Sequence, residues 1–452
     1  MSARSLPYDP ERMRTRFRPY DPDQRLLLPQ DLREWVPAGH LAHHVSDLVD
    51  ALDLSAFYAR YEGDGRRRSP YDPRMMVKVL LYGYATGVFS SRKLARKLEE
   101  DVPLRMLAAG NFPAHRTLCE FRKKNLRAFG ALFAEAVLLA RELGLAGLGR
   151  VAVDGTKVRA NASKRKAMSY GRMGPEEARL EAEIAELLAR AEAADAEEDE
   201  RHGEDVRGDE LPEELKRRED RLAAIRAARA RLEAEARERD DARGREPEWD
   251  RNPKGGSPYK LAYGEPEADS QTNFTDPESR IMRTSTEGYQ QCYNAQAVVD
   301  GESQLVLGAE VTDNASDQGQ LVERVDEVSG RLGETPGEVL ADAGYSNEED
   351  LAALDARGID GYVALGREGK GAGKPDPKKL PATARMAKKL ETPQGRAVYA
   401  KRKWIAEAPI GWVKEAMGFR RFSLRGLENV RGEWDLVCLA LNARRLHVLR
   451  AA

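Results

Sequence analysis

Two short apolar runs that each end on an aspartate constrain the fold of this 452-residue chain most strongly. They are VAVDG at 151–155 and VLADAG at 339–344. Short apolar runs bounded by turn residues are typical of buried strands. Polar side chains at the carboxyl ends of such strands gather where open α/β sheets bind their ligands. We therefore predict that Asp154 and Asp342 each lie at the end of a strand.

The sequence after Asn273 alternates between strand-like and helix-like patterns. QCYNAQAVVD and SQLVLGAEVTD predict two strands of a hairpin with its turn at Asp300–Gly301. SDQGQLVERVDEVSGRLG and NEEDLAALDARG are amphipathic and predict helices, and GYVAL predicts a further strand. This order predicts an α/β core with a mixed sheet and flanking helices.

A segment of different composition, rich in Glu, Ala, Arg and Leu, interrupts this core at 175–243. Its apolar residues follow 4-3-4-3 spacing in the first half and repeat it less regularly in the second. We predict two helices folded back as an antiparallel coiled-coil hairpin. The predicted domains are a helical N-terminal domain at 1–148, the first part of the catalytic core at 149–174, the coiled-coil insertion at 175–248 and the rest of the core at 249–452. In the 175–243 segment, the apolar residues with the 4-3-4-3 spacing are Leu180, Ile184, Leu187, Ala191 and Ala194, and those that repeat it less regularly are Leu215, Leu222, Ile225, Ala228 and Leu232.

The first 148 residues predict short helices, one of them capped at Ser90 or Ser91, joined by turns that contain Gly and Pro. Such an arrangement is compatible with a DNA-binding domain and equally with a generic helical module. Between 62 and 130 there are 15 Lys or Arg against 7 Asp or Glu, and between 393 and 431 there are 9 against 3, although the whole chain has a net charge of −2. These basic regions indicate either a polyanionic partner or ordinary solvated helix faces.

Several classes of protein are disfavoured. No apolar run approaches the roughly 18–20 residues of a membrane span, and the first 20 residues contain no apolar signal-peptide core. The three cysteines, Cys119, Cys292 and Cys438, are far apart and form no CxxC pair. They suit a reducing compartment and argue against a zinc site.

A third acid is expected from the basic stretch YAKRKWIAEAPIGWVK. Glu407 is the only acid there between Glu391 and Glu415, and Glu415 is the alternative. Three carboxylates can hold two Mg²⁺ ions, which prefer oxygen ligands and promote displacement at phosphorus. Trp404 and Trp412 flank Glu407, and we expect them in the core rather than stacked on an unpaired base.

The order of the sequence segments that contain these acids resembles that of bacterial insertion-sequence transposases of the DDE class. The resemblance rests on VAVDGTKVRANAS, GYQQCYNAQAVVD, VLADAGYSNEEDL and the stretch that begins YAKRKWIAEAPIGWVK, and it spans nearly the whole chain. It implies an RNase H-like catalytic core, with an all-α domain before it, and a catalytic, metal-binding triad of Asp154, Asp342 and Glu407.

One branch of that family carries a Tyr, Arg, Glu, Lys signature in its third block. Tyr399 and Lys414 match the ends of the signature. The Arg is ambiguous, because the spacing from Tyr399 favours Arg402 whereas the spacing back from Glu407 favours Lys403. We retain all four as candidate DNA-binding residues.

The resemblance also implies the activity. Mg²⁺, with Mn²⁺ as a substitute, would support strand cleavage at the ends of the insertion sequence and transfer of the freed 3′ end to target DNA. The implied partners are the terminal inverted repeats and target DNA, both double-stranded, and a second copy of the chain when it is bound to DNA ends. The implied location is the bacterial cytoplasm, with the nucleoid. Two alternatives stay open: a catalytically inactive DNA-binding descendant, and an RNase H-like nuclease without strand transfer.

Overall fold

A computed structural model describes residues 31–61, 69–202, 213–249, 251–252, 255, 257–284, 287–366 and 375–451, without side chains for 164, 190–202, 213–214 and 451. No helix in these ranges is both long and apolar enough to span a bilayer. The strands are β1 Arg150–Arg159, β2 Ala167–Ser169, β3 Gln271–Asn273, β4 Arg280–Thr284, β5 Gly288–Asp300, β6 Val306–Thr312, β7 Glu338–Ala341 and β8 Asp360–Val363. The helices are α1 Leu41–Ala51, α2 Ser55–Tyr58, α3 Pro73–Ala85, α4 Ser91–Glu100, α5 Val102–Leu107, α6 His115–Lys124, α7 Leu126–Glu142, α8 Tyr170–His202, α9 Glu213–Ala242, α10 Leu321–Leu332, α11 Glu348–Ala356, α12 Pro381–Glu391, α13 Pro393–Arg402, α14 Ala408–Gly411 and α15 Leu427–Ala451.

The main sheet is mixed and has the strand order β4-β5-β1-β7-β8, with β6 also paired to β5. β5 is antiparallel to β1, β4 and β6, whereas β7 is parallel to β1 and to β8. β5 and β6 form the predicted hairpin, whose connection begins at Gly301. β1 is buried at Val151, Ala152 and Val153 because it lies in the middle of the sheet. The mixed sheet with flanking helices agrees with the predicted fold class.

The prediction that Asp154 ends its strand is wrong, whereas Asp342 directly follows β7 as expected. β1 continues past Asp154 to Arg159 because its antiparallel pairing with β5 continues to Arg159 opposite Cys292. Its parallel pairing with β7 stops at Val153 opposite Ala341. The next residue on each strand is therefore one of the two acids.

The N-terminal helices pack on the sheet through α15 and share one hydrophobic core with it. Ser90 caps α4, as predicted, by accepting a 3.5 Å hydrogen bond from the Lys93 amide. A buried carboxylate, Glu433 on α15, accepts a 3.1 Å hydrogen bond from the Tyr84 hydroxyl, which in turn accepts one of 2.8 Å from Arg122. The same carboxylate accepts bonds from the Ser423 and Leu424 amides. These bonds tie the N-terminal helices to the segment that follows the third acid.

The insertion contains the two predicted helices, α8 and α9, which pair with each other. The first helix begins at Tyr170 rather than at Pro175, because Met173 is buried with Leu180 and Leu222 in a small second core. The connection at 203–212 and the side chains of Ala191 and Ala194 lie outside the described residues.

Ion pairs cross between the two helices of the insertion, including Glu183 with Arg218 at 2.8 Å and Glu176 with Arg221 at 2.9 Å. The base of the insertion is joined to the main sheet, since Arg280 of β4 pairs with Glu235 of α9 at 3.0 Å. The part of the insertion near the main sheet is therefore linked to it by an ion pair, and its helices contact the small two-stranded sheet of β2 and β3.

Candidate active site

Asp154 and Asp342 lie side by side at the step where two parallel strands separate. In-register residues of parallel neighbours face the same side of a sheet, and adjacent strands lie about 4.8 Å apart. Asp342 has an extended backbone (φ −80°, ψ 179°), so it continues the direction of β7, and its Oδ1 accepts a 2.8 Å hydrogen bond from the Gly344 amide. The register of β1 and β7 is thus what brings the two carboxylates together.

Burial and the neighbouring Asp342 carboxylate both affect the pKa of Asp154. Its side chain is only 14% exposed. Burial and then the charge of Asp342 raise the pKa of Asp154 to about 7, with a smaller contribution from Glu407, while Arg402 and the Gly155 amide oppose the shift. Burial and the neighbouring carboxylates therefore both disfavour the ionised form of Asp154.

Glu407 lies on an irregular helical segment. α13 continues into a π-helix over Lys403–Glu407, then α14, then a second π-helix over Trp412–Ala416. A π-helical turn accommodates one extra residue within an α-helix and is frequent at functional sites. Ile405 and Ala406 are buried and anchor this turn, while the Glu407 side chain is 52% exposed.

The guanidinium of Arg402 bridges two of the three acids. Its Nη2 donates a 3.0 Å hydrogen bond to Glu407 Oε1, and its Nη1 lies 3.7 Å from Asp154 Oδ2. The Arg402 side chain is 9% exposed, whereas Lys403, the next residue, is exposed. Arg402 is therefore the basic residue of this pair that contacts the acids. The π-helical turn over Lys403–Glu407 accommodates one extra residue between Arg402 and Glu407.

The described residues contain no group of three or more His, Cys, Asp or Glu side chains close enough to hold a metal ion. In this side-chain arrangement Arg402 bridges Asp154 and Glu407, and the sharing of metals by all three carboxyl groups stays a prediction. The residues nevertheless fit a divalent cation chemically. Carboxylate oxygens are the ligands that Mg²⁺ prefers. The raised pKa of Asp154 comes first from burial and then from repulsion by Asp342, and a bound cation would relieve that repulsion.

Residues 269–443 match a family model described as "Transposase DDE domain", and residues 30–124 match one described as "Transposase domain (DUF772)". Together these matches support an insertion-sequence transposase. The first match implies an RNase H-like fold, with which the mixed sheet agrees. It contains Asp342 and Glu407 but begins after Asp154. No curated protein and no solved structure matches the chain.

The other residues predicted for the transposase signature lie around Arg402 and Glu407. The Tyr399 ring centre is 5.9 Å from the Arg402 guanidinium. Lys414 is partly buried, and burial, followed by the charge of Arg420, lowers its pKa. The alternative third acid, Glu415, is 72% exposed and pairs with Arg420 at 2.6 Å rather than with any signature residue.

The two tryptophans that flank Glu407 are not in the core, so that prediction is wrong. Trp404 is 57% exposed and Trp412 is 50% exposed. They lie on the outer side of the segment whose inner side is buried at Ile405 and Val413. The Arg444 guanidinium lies 5.2 Å from the centre of the Trp412 ring.

The sequence analysis missed a fourth acid beside the candidate site, Asp317. Its Oδ1 accepts hydrogen bonds from Lys157 Nζ at 3.1 Å, Asn294 Nδ2 at 2.6 Å and Gln296 Nε2 at 2.9 Å. Gln296 Oε1 in turn accepts a bond from the hydroxyl of Tyr345, three residues after Asp342. This network connects the Asp342 turn to β5 and β1.

A sequence signal for part of this network exists in QCYNAQAVVD. Asn294 and Gln296 are two residues apart, so they lie on one face of β5, and both are fully buried. Buried polar residues are normally hydrogen-bonded, so this spacing indicates a polar cluster on that face of the strand. Asp317 lies in the connection between β6 and α10, where no periodic pattern distinguishes it from a turn acid.

Proposed function

We propose that this chain is a DDE transposase that cleaves DNA at the ends of an insertion sequence and joins the freed 3′ end to target DNA. The observation that carries the proposal is the adjacency of Asp154 and Asp342 at the point where β1 and β7 separate. Glu407, bridged to Asp154 through Arg402, supplies the third carboxylate. The family matches support the coarser conclusion of a transposase.

In this proposal Asp154, Asp342 and Glu407 hold Mg²⁺, for which Mn²⁺ can substitute. When bound, such ions stabilise charge on the attacking and leaving oxygens of a displacement at phosphorus. The half-exposed Glu407 side chain can rotate, whereas Asp154 and Asp342 are fixed by the sheet and by the cap to Gly344. Arg402 is proposed to position Asp154 and Glu407 rather than to contact DNA, because its guanidinium is buried against them.

Two displacements at phosphorus make up the proposed reaction. A water oxygen first attacks the phosphorus at the end of the element, the bond from phosphorus to the 3′ oxygen breaks, and that oxygen leaves as a 3′-hydroxyl. The oxygen of this 3′-hydroxyl then attacks a phosphodiester of target DNA and forms a new bond to phosphorus. The bond from that phosphorus to the target's 3′ oxygen breaks, and this oxygen takes up a proton and leaves as the target strand's 3′-hydroxyl. No covalent bond to the protein is required.

The proposed DNA contacts come from two regions. The N-terminal helices present exposed cations at Arg92, Lys93 and Arg96 of α4 and at Arg116 and Lys123 of α6. Contacts of this kind to phosphates position DNA without reading its sequence. In the third block Tyr399, Lys403 and Lys414 are the proposed contacts near the cleaved strand. A second copy of the chain on the paired DNA ends and association with the bacterial nucleoid belong to the same proposal.

The test is to incubate the protein with the genomic DNA that flanks its coding sequence and to map cut ends at nucleotide resolution. We expect cuts at the two element boundaries with Mg²⁺ or Mn²⁺ and none after chelation. A labelled supercoiled plasmid in the same reaction detects strand transfer. Binding without cutting under any divalent cation would favour the inactive DNA-binding descendant, and cutting without joined products would favour the simple nuclease.

A further inference from the structure

A basic groove lies beyond the end of β1, outside the site described above. It has a volume of about 440 Å³. Three segments of the chain form its walls, and the polar residues that line it are Asn161, Ser163, Lys166, Thr275, Arg421 and Arg425. None of the described lining residues is acidic.

Hydrogen bonds between the three segments fix the shape of this groove. The Phe422 amide donates to the Arg159 carbonyl at 2.8 Å, and Asn161 Nδ2 donates to the Ser423 carbonyl at 2.8 Å. Arg425 Nε donates to the Asn161 carbonyl at 2.9 Å. On the third side, Asn273 Nδ2 donates to the Ser163 carbonyl at 2.8 Å. The groove is therefore built by long-range contacts rather than by one loose loop.

The cations of the groove are not neutralised by the protein. Within the described ranges, no carboxylate lies in ion-pairing distance of Lys166, Arg421 or Arg425, and the side chains of all three are exposed. The buried Asp276 interacts with Arg425 only through its charge and forms no ion pair with it. Its Oδ1 accepts bonds from the Tyr293 hydroxyl and the Gly426 amide.

A second polar groove differs from the groove beyond β1 in the charge of its lining residues. At the base of the helical insertion, a groove of about 320 Å³ is lined by four cations, Arg239, Arg243, Arg245 and Lys260, and by three acids, Asp240, Glu265 and Glu267. Its acids offset all but one of its cations, so it attracts an anion less strongly than the groove beyond β1, whose lining contains three cations and no acid. The groove beyond β1 is distinguished by unopposed positive charge.

The walls of the groove continue from the chain segments that carry the candidate catalytic carboxylates. Arg159 is five residues after Asp154 on one continuous strand, a distance of roughly 17 Å at about 3.3 Å per residue. Five base pairs of duplex DNA span about the same distance. The opposite wall, with Arg421 and Arg425, follows the second π-helix of the third-acid segment, which ends at Ala416. Both walls thus continue from elements that carry the proposed catalytic acids.

We propose that this groove binds the phosphate backbone of duplex DNA about five base pairs from the phosphate that is cut. The inference rests on the proposed function, since it assigns the path of the DNA away from the acids. The ligand is recognised as a phosphodiester through Lys166, Arg421 and Arg425. The contacts are independent of base sequence, so any duplex serves as a probe.

The test measures binding of a 40-base-pair duplex of mixed sequence at several salt concentrations. Each lost phosphate contact lowers the slope of log affinity against log salt by about one. The double variant R421A/R425A should therefore bind more weakly than wild type at every salt concentration and lose about two from that slope. R421K/R425K keeps the charges and should restore most of the affinity, and R239A/R243A, which removes two exposed arginines from the groove at the base of the insertion, should behave as wild type.

The outcomes of this binding experiment separate failure of the groove assignment from failure of the proposed function. Equal slopes for wild type and R421A/R425A, with normal thermal melting of both, would overturn the groove assignment and leave the proposed function in place. Weakening by R239A/R243A to the same extent would overturn it as well, because the effect would then be one of net charge. Absence of duplex binding by the wild type would reject the proposed function together with the groove.

Discussion

Arg402 Nη2 donates a 3.0 Å hydrogen bond to Glu407 Oε1 across the π-helical turn that separates the two residues. The same guanidinium lies 3.7 Å from Asp154 Oδ2 on β1. One buried cation therefore holds an acid from the sheet and an acid from a helix in a common site. This relationship leads to the first prediction, because it distinguishes Arg402 from its neighbour Lys403.

Replacement of Arg402 by Ala should slow DNA cleavage by roughly 10- to 100-fold, the usual cost of losing a group that orients metal-binding carboxylates. R402K keeps the charge but cannot bridge two carboxylates in the same way, so it should be intermediate. K403A is the matched control and should cleave at nearly the wild-type rate, with at most a weaker, salt-dependent affinity for DNA. A cleavage defect confined to K403A would assign the signature position to Lys403 instead.

Asp317 is expected to act by positioning the Asp342 turn. D317N removes the charge that Lys157 neutralises and weakens the network that reaches Tyr345 through Gln296. Cleavage should fall about tenfold, with DNA affinity unchanged, in a single-turnover assay. D313N is the control, since Asp313 lies just after β6 on the same connection but pairs with Arg280 at 3.0 Å. Equal cleavage by the two variants would remove Asp317 from the account.

The two strands that lead to the aspartates could be predicted from the sequence because fully buried strands are short, continuous apolar runs. The register that makes Asp154 and Asp342 neighbours could not, because it depends on the pairing of residues almost 190 positions apart. The continuation of β1 past Asp154 was missed for a related reason. Polar residues such as Thr156 and Lys157 look like a turn until their partners on β5 are known.

In the segment around Glu407, the sequence could not predict the irregular helical geometry. The sequence placed Glu407 on a helix, but regular α-helical spacing left Arg402 and Lys403 indistinguishable. A π-helix changes which residues face the sheet, and no local propensity marks where one extra residue is accommodated. The same change of helical phase contributes to the wrong prediction for Trp404 and Trp412, whose side chains lie on the exposed side.

The helical insertion should tolerate shortening only away from the sheet. Replacing 188–214 with a short Gly/Ser linker keeps the small core of Met173, Leu180, Leu222, Ile225 and Leu232, so the melting temperature should change little. Replacing 171–243 removes most of this core and the Arg280–Glu235 pair, and soluble yield and melting temperature should drop. A comparable loss for both deletions would mean that the outer part of the insertion is integral to the fold.

Stability should also depend on Asp435 of α15. Burial, then the charge of Glu310, raises the pKa of Asp435 to about 7, although Arg331 and Arg431 oppose the shift. The unfolded chain titrates near 3.9, so the folded protein binds the extra proton between these pH values. Its stabilising contribution is full below about pH 4 and is lost as the pH rises through about 7.

D435N removes this titration. The variant should have a free energy of unfolding higher than that of wild type by roughly 1–3 kcal/mol at pH 8, a range that allows for partial exposure of the side chain. The difference should nearly vanish at pH 4. Thermal or urea unfolding of both proteins at the two pH values measures it, and a difference independent of pH would contradict the assignment.

The most direct measurement compares DNA binding with metal-dependent cleavage in D342N. The change is nearly isosteric, and the Asn oxygen can still accept the hydrogen bond from the Gly344 amide, so the fold should persist. It removes one negative charge, and an amide is a poorer Mg²⁺ ligand than a carboxylate. D326N, which alters an exposed acid paired with Arg357, is the control. The account predicts that D342N binds end-bearing DNA as wild type does but does not cut it with Mg²⁺, whereas D326N does both. Cleavage by D342N at the wild-type rate would contradict the assignment of Asp342 to the active site.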